Sequence, residues 1–201
     1  MSRLVLASSS PRRAELLRSL GVEFTVDVAA LDEEGMFLEV ASPSRRAVLL
    51  AGAKARAVAL RHPEARVLAA DTLVLLGAES LAKPRDEGEA LWMLSRLSGA
   101  SHEVITGVVV RSPDGGERSG FAATRVTFAR WPSAALLAYA RSEHPRDKAG
   151  AYGLQGLPGA FVADLAGPAD NVIGLPRTLV GKLLAGGLAS TIPQADQPRS
   201  A

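Results

Sequence analysis

The stretch that most constrains the fold is residues 65 to 77, "ARVLAADTLVLLG". Apart from Arg66 and the pair Asp71-Thr72 it is apolar, without the alternation of a strand that has one wet face. A strand of that kind must be covered on both sides, which calls for a sheet sandwiched between helices. Its middle carries a carboxylate. An isolated buried carboxylate is costly, so Asp71 must be protonated, hydrogen-bonded, or placed beside a cation or a metal. That suits a general base or a metal ligand, with the Thr72 hydroxyl alongside. The plainer alternative is a strand-end Asp that caps a neighbouring helix.

The flanking segments supply the helices. "LVLA" at residues 4 to 7 is a short buried strand, and Ser10 caps a helix that opens on Pro11 and stops at Gly21. "VEFTV" gives a second short strand, and "SPSRRAVLLAGAKARAVALRH" a long helix. "ESLAKP" reads as a loop before a helix that starts near Asp86 and ends at Gly99. Residues 101 to 131 form two strands joined at Pro113-Asp114-Gly115-Gly116. A helix capped by Ser133, a Gly-rich loop, a strand and one last helix follow. The expected class is α/β, with one antiparallel hairpin in a sheet covered by helices. Residues 1–188 make one domain and 189–201 a flexible tail.

Composition narrows the function. The chain has 201 residues, no cysteine and a net charge of +2. There is no thiolate nucleophile and no Cys-ligated metal. Neither a long apolar leader nor a run of about 18 apolar residues occurs, so no membrane partner is expected and a cytoplasmic location fits. A near-balanced charge with 4% aromatics argues against nucleic acid as a partner. Of the 23 basic residues only Lys54, Lys83, Lys148 and Lys182 are lysines. Asn171 is the only asparagine.

Four further features carry chemistry. "SSSPRR" sets Ser8, Ser10, Arg12 and Arg13 at the start of a helix, where free N–H groups and the helix dipole favour an anion. Two guanidiniums at that positive end suit a polyphosphate. Otherwise Arg12 pairs with Glu15 and Arg13 lies on the surface. Asp32-Glu33-Glu34 offers oxygen ligands to a hard cation, or is a solvated acidic turn. Lys54 and Lys83 are point charges suited to phosphate oxygens, whereas Lys182 reads as a surface residue. "DKAGAYGLQG" lets backbone approach a ligand, and Gln155 has the donor and acceptor to read a base edge. It could equally be a loop without a ligand. His62, His102 and His144 share no ligand spacing and receive no role.

In chain order, "LASSSPRR", "LDE", "KARAVA", "AADTLV", "KPRD", "LSGASHEVITGV", "DKAGAYGLQG" and "NVIGLP" resemble the Maf family of nucleotide pyrophosphatases. The resemblance implies a fold like that of the inosine triphosphate pyrophosphatases, an elongated mixed sheet flanked by helices and split into two lobes around a cleft. It implies hydrolysis of a nucleoside triphosphate to the monophosphate and pyrophosphate with a divalent cation (Mg²⁺, Mn²⁺ or Co²⁺), in a homodimer. Asp71 falls on the family's catalytic Asp, which would also share the metal with Glu33. Arg13, Lys54 and Lys83 fall on its phosphate-binding positions. Arg12, Thr72 and Gln155 match the branch that acts on dTTP and UTP, extending to modified pyrimidine nucleotides. A nucleotide-binding regulator of cell division and septum formation is the non-enzymatic alternative.

Overall fold

The computed structural model describes residues 3–33 and 35–186. Glu34 and the expected tail at 189–201 lie outside the described residues. The strands are β1 (Leu4–Leu6), β2 (Thr25–Val26), β3 (Arg66–Leu76), β4 (Glu79–Leu81), β5 (Ser101–Arg111), β6 (Glu117–Phe128) and β7 (Val162–Ala166). The helices are α1 (Pro11–Arg18), α2 (Pro43–Ala59), α3 (Glu87–Leu97), α4 (Ser133–Arg141), α5 (Ala169–Ile173) and α6 (Arg177–Leu184). None of the described helices is long and apolar enough to cross a membrane.

All seven strands join one mixed sheet in the order β2-β1-β3-β5-β6-β7, with β4 added to β3. The long apolar strand is central, as its composition requires, and its residues alternate between two cores. Val67 and Ala69 pack with Val48, Ala51, Ala55 and Val58 of α2. Leu73 and Leu75 continue that face against Ala47 and Leu50. Leu68 and Ala70 face the other way, onto Leu17 of α1 and Val180 and Leu183 of α6. Beyond Val74 a separate core gathers α3, α4 and the aromatic residues Phe128, Trp131, Tyr139 and Tyr152. These cores make the two lobes.

The cleft between them comes from the pairing pattern. β5 occupies one edge of β3 from Val67 to Leu75. On the other edge β1 pairs only with Arg66–Leu68 and β4 only with Val74–Leu76. Residues 69 to 73 therefore have no strand beside them on that edge, and Asp71 stands in the middle of the gap.

Four sequence readings change. "ESL" is a strand, because it turns straight back along β3 through Gly77, which has φ +63°. The segment after Asn171 is two helices, divided at Gly174, whose φ of +116° ends α5. The single expected hairpin understates the sheet, since four of the six pairings are antiparallel. Ser133 also does not cap α4: Pro132 holds that position without a side-chain bond.

Candidate active site

Asp71 and Lys54 meet inside the cleft. Asp71 sits on the α2 face of β3, and Lys54 on the sheet-facing side of α2. Their side chains form an ion pair with Nζ to Oδ1 2.6 Å, and the residues are 7% and 8% exposed. α2 comes this close because Gly107, the β5 residue paired with Asp71, has no side chain. A Cβ there would lie 2.4 Å from the backbone carbon of Ala47 and the backbone nitrogen of Val48. The buried carboxylate thus has the cation that its burial demanded.

Glu33 Oε2 approaches the same Lys54 Nζ at 2.8 Å. Two carboxylates therefore converge on one ammonium, each with a second oxygen that is free of this contact. A pair of hard oxygen donors fits a small divalent cation that takes the rest of its shell from phosphate and water. Among the described residues no group of three His, Cys, Asp or Glu gathers. The described residues alone would thus not enclose such an ion.

Arg13 reaches the site from α1. Ser10 Oγ caps the helix by accepting from Arg13 N at 3.4 Å, as its position in the sequence suggests. The guanidinium donates to the Gly174 carbonyl at 2.9 Å, to Thr72 Oγ1 at 3.0 Å and to Ser8 Oγ at 3.4 Å. Burial pulls its pKa below the usual guanidinium value, opposed by the Asp71 and Glu33 charges and reinforced by Arg12. A desolvated cation of this kind favours an anionic ligand.

Thr72 is engaged within the protein. Thr106 Oγ1 donates to the Asn171 carbonyl at 2.9 Å, so the 3.0 Å contact between the two threonines is a donation from Thr72. Thr72 thus accepts from Arg13 and donates to Thr106, and its placement orients Arg13. Asn171 is fully buried and donates through Nδ2 to the Val104 carbonyl and to Thr124 Oγ1. Thr106, Asn171 and Gly107 were not read as site residues. Their signals were the rarity of asparagine and their place in "LSGASHEVITGV" and "NVIGLP", neither of which assigns them a role.

On the other wall, Arg12 pairs with Asp147 at 3.0 Å, not with Glu15, and so links α1 to the Gly-rich loop. Lys148 holds Asp147 and the His144 carbonyl. Gly153 N donates to Tyr139 Oη at 3.3 Å, and Tyr152 Oη bonds His102 Nε2 at 2.7 Å. Gln155 and Lys83 line the cleft and are exposed. Of the other histidines, His62 contacts Asp27 and His144 stacks on Tyr139.

All ten residues singled out from the sequence therefore line one cavity of about 1290 Å³: Ser8, Ser10, Arg12, Arg13, Glu33, Lys54, Asp71, Thr72, Lys83 and Gln155. Arg46, Arg85, Glu89, Asp147 and Lys148, which carry no role in the sequence reading, also line it. Among the described residues, seven cationic and four acidic side chains face the space. A chain with a net charge of only +2 concentrates its positive excess there. Such a cleft attracts a multiply charged anion.

Comparison with known proteins gives the family. A family model described as "Maf-like protein" matches residues 3–186. A protein of Symbiobacterium thermophilum named dTTP/UTP pyrophosphatase is 47% identical over 88% of this chain and 89% of its own. One of Myxococcus xanthus with the same name is 51% identical over 86% of each. A solved structure titled nucleoside-triphosphatase / dITP/XTP pyrophosphatase, from Mycobacterium abscessus, aligns over 92% of this chain and 94% of its own, at TM-score 0.45 and 16% identity. A match over nearly the whole described chain, joined to relatives about half identical, means that this protein belongs to the Maf-like family.

Proposed function

We propose that this protein hydrolyses dTTP and UTP, and modified pyrimidine nucleotides of the same shape, to the monophosphate and pyrophosphate. The observation that carries the reading is the buried Asp71–Lys54 pair at the centre of a cationic cleft. The relatives named dTTP/UTP pyrophosphatase support the substrate.

In this reading Asp71 accepts a proton from a water aligned with the α-phosphorus. The water oxygen bonds to that phosphorus, and the bond to the oxygen bridging α and β breaks. The electron pair leaves with pyrophosphate. Lys54, Arg13 and Lys83 neutralise the charge that moves onto the leaving group, with the Ser8–Ser10 turn beside them. Catalysis of this type is mostly positioning and electrostatics. Glu33 and Asp71 are the residues that would hold Mg²⁺, Mn²⁺ or Co²⁺, which supplies Lewis-acid neutralisation of the phosphate oxygens. Gln155, exposed on the opposite wall, presents its amide to a pyrimidine edge. Arg12 closes that wall, and Thr72 acts through Arg13. The family resemblance supports a homodimer, and the cysteine-free composition suits a cytoplasmic location.

The test is a nucleotide panel with each metal and with chelator, scored by pyrophosphate released. Pyrophosphate from dTTP and UTP, lost on chelation, is the expected result. Tight nucleotide binding without product would instead assign a regulator.

A further inference from the structure

We infer that Arg46 forms an additional anion subsite that holds the terminal phosphates, the pair that departs as pyrophosphate. The inference rests on the proposed function for the identity of the substrate. The subsite itself rests on geometry. Arg46, Leu50 and Lys54 are spaced four apart on α2, so they share one face, and all three line the cleft. Eight residues of helix put Arg46 about 12 Å along the axis from Lys54, a span two long side chains shorten.

Arg46 has unmet demand. Its Nε is buried without a hydrogen-bond partner, and among the described residues no carboxylate pairs with its guanidinium. A buried N–H left unmet is costly, so a ligand that meets it gains the difference. The position sharpens the point. Arg46 stands just inside the N-terminal end of α2, where the helix dipole disfavours a cation and favours an anion. Arg45 also has a buried, unpartnered Nε, but it does not line the cleft.

The direction of the substrate follows from the strand. Asp71 and Thr72 point to opposite faces of β3. Gln155 and Arg12 stand on the Gly-rich side, so a base read there puts the phosphates toward Asp71, Lys54 and Glu33. Arg46 is the next cation along α2. The α-phosphate lies at Asp71, and the groups beyond it reach Arg46.

The experiment is calorimetric titration of inorganic pyrophosphate and, separately, of dTMP into the wild type, Arg46→Gln and Arg46→Lys. Arg46→Gln should bind pyrophosphate about 10-fold more weakly and dTMP unchanged, and Arg46→Lys should recover part of the loss. The KM for dTTP should rise with a smaller change in kcat. Unchanged pyrophosphate affinity, or an equal loss for dTMP, overturns the assignment. A wild type that does not cleave dTTP but loses pyrophosphate affinity on Arg46→Gln overturns the proposed substrate and leaves the anion subsite standing.

Discussion

Lys54 Nζ bridges Asp71 Oδ1 at 2.6 Å and Glu33 Oε2 at 2.8 Å, and the two carboxylates differ in how they are held. The Asp71 side chain is 10% exposed and fixed in a central strand, whereas that of Glu33 is 42% exposed on a loop. If Lys54 is lost, Glu33 can turn to water and Asp71 cannot. The ammonium therefore pairs the buried charge of Asp71 and, in the proposed function, holds the base in place.

This difference separates two substitutions. Asp71→Asn keeps shape and a hydrogen-bonding group, so the protein should stay folded while kcat falls by roughly 10²–10⁴-fold, the usual worth of a general base. Lys54→Met leaves a buried carboxylate unpaired, which typically costs about 3–5 kcal/mol. Thermal melting and pyrophosphate release, measured on both variants, distinguish them. Turnover that survives Asp71→Asn removes Asp71 as the base.

In the proposed function Gln155 carries the choice of base. Its amide offers a donor and an acceptor, and Gln155→Glu keeps only acceptors at neutral pH. Rates on dTTP and UTP should fall about 10- to 100-fold in kcat/KM, while the slower rates on purine nucleotides change little. An equal loss on every nucleotide would mean that Gln155 shapes the loop and does not read the base.

Much of this site is legible in the sequence because each part is local. The Ser10 cap, the Pro11 start and the two arginines lie within one turn, and Asp71 announces itself by its apolar flanks. What stayed hidden depends on contacts between distant segments. Nothing near Arg12 in the sequence indicates Asp147, 135 residues away, as its partner. Thr72 looked available to a substrate until Thr106 and Asn171 took up its donor. The short strand Glu79–Leu81 read as a loop because three residues carry no periodicity, and its pairing with β3 alone makes it a strand.

His102 links stability to pH. It is buried against Phe128 and Tyr152, and burial lowers its pKa from the ordinary imidazole value of 6.5 to about 4. Between these values the unfolded chain takes up a proton that the folded chain refuses. Stability should therefore rise with pH from about 4 to 6.5 and then level off, by up to about 3 kcal/mol from this group. His102→Gln keeps a partner for the Tyr152 hydroxyl and removes the titration. Urea unfolding at pH 5 and pH 7 should show a smaller difference for the variant than for the wild type. Because Tyr152 begins the segment that leads to Gln155, the variant should also raise KM for dTTP more than it lowers kcat.

Gly107 tests whether helix approach builds the site. It lies opposite Asp71 in the sheet and directly under α2, where a methyl group would stand 2.4 Å from the Ala47–Val48 backbone. No rotamer change can relieve a clash with backbone, so α2 or β5 must move. Overpacking of a core usually costs about 1–3 kcal/mol, and Gly107→Ala should fall at or above the top of that range. Any outward shift of α2 carries Lys54 away from Asp71, so turnover should drop even in the fraction that remains folded. The control is Gly181→Ala, a helical position where a Cβ meets nothing within 4 Å and where alanine should melt no lower than the wild type. Wild-type melting and turnover in Gly107→Ala would show that the Lys54–Asp71 contact does not depend on this close approach.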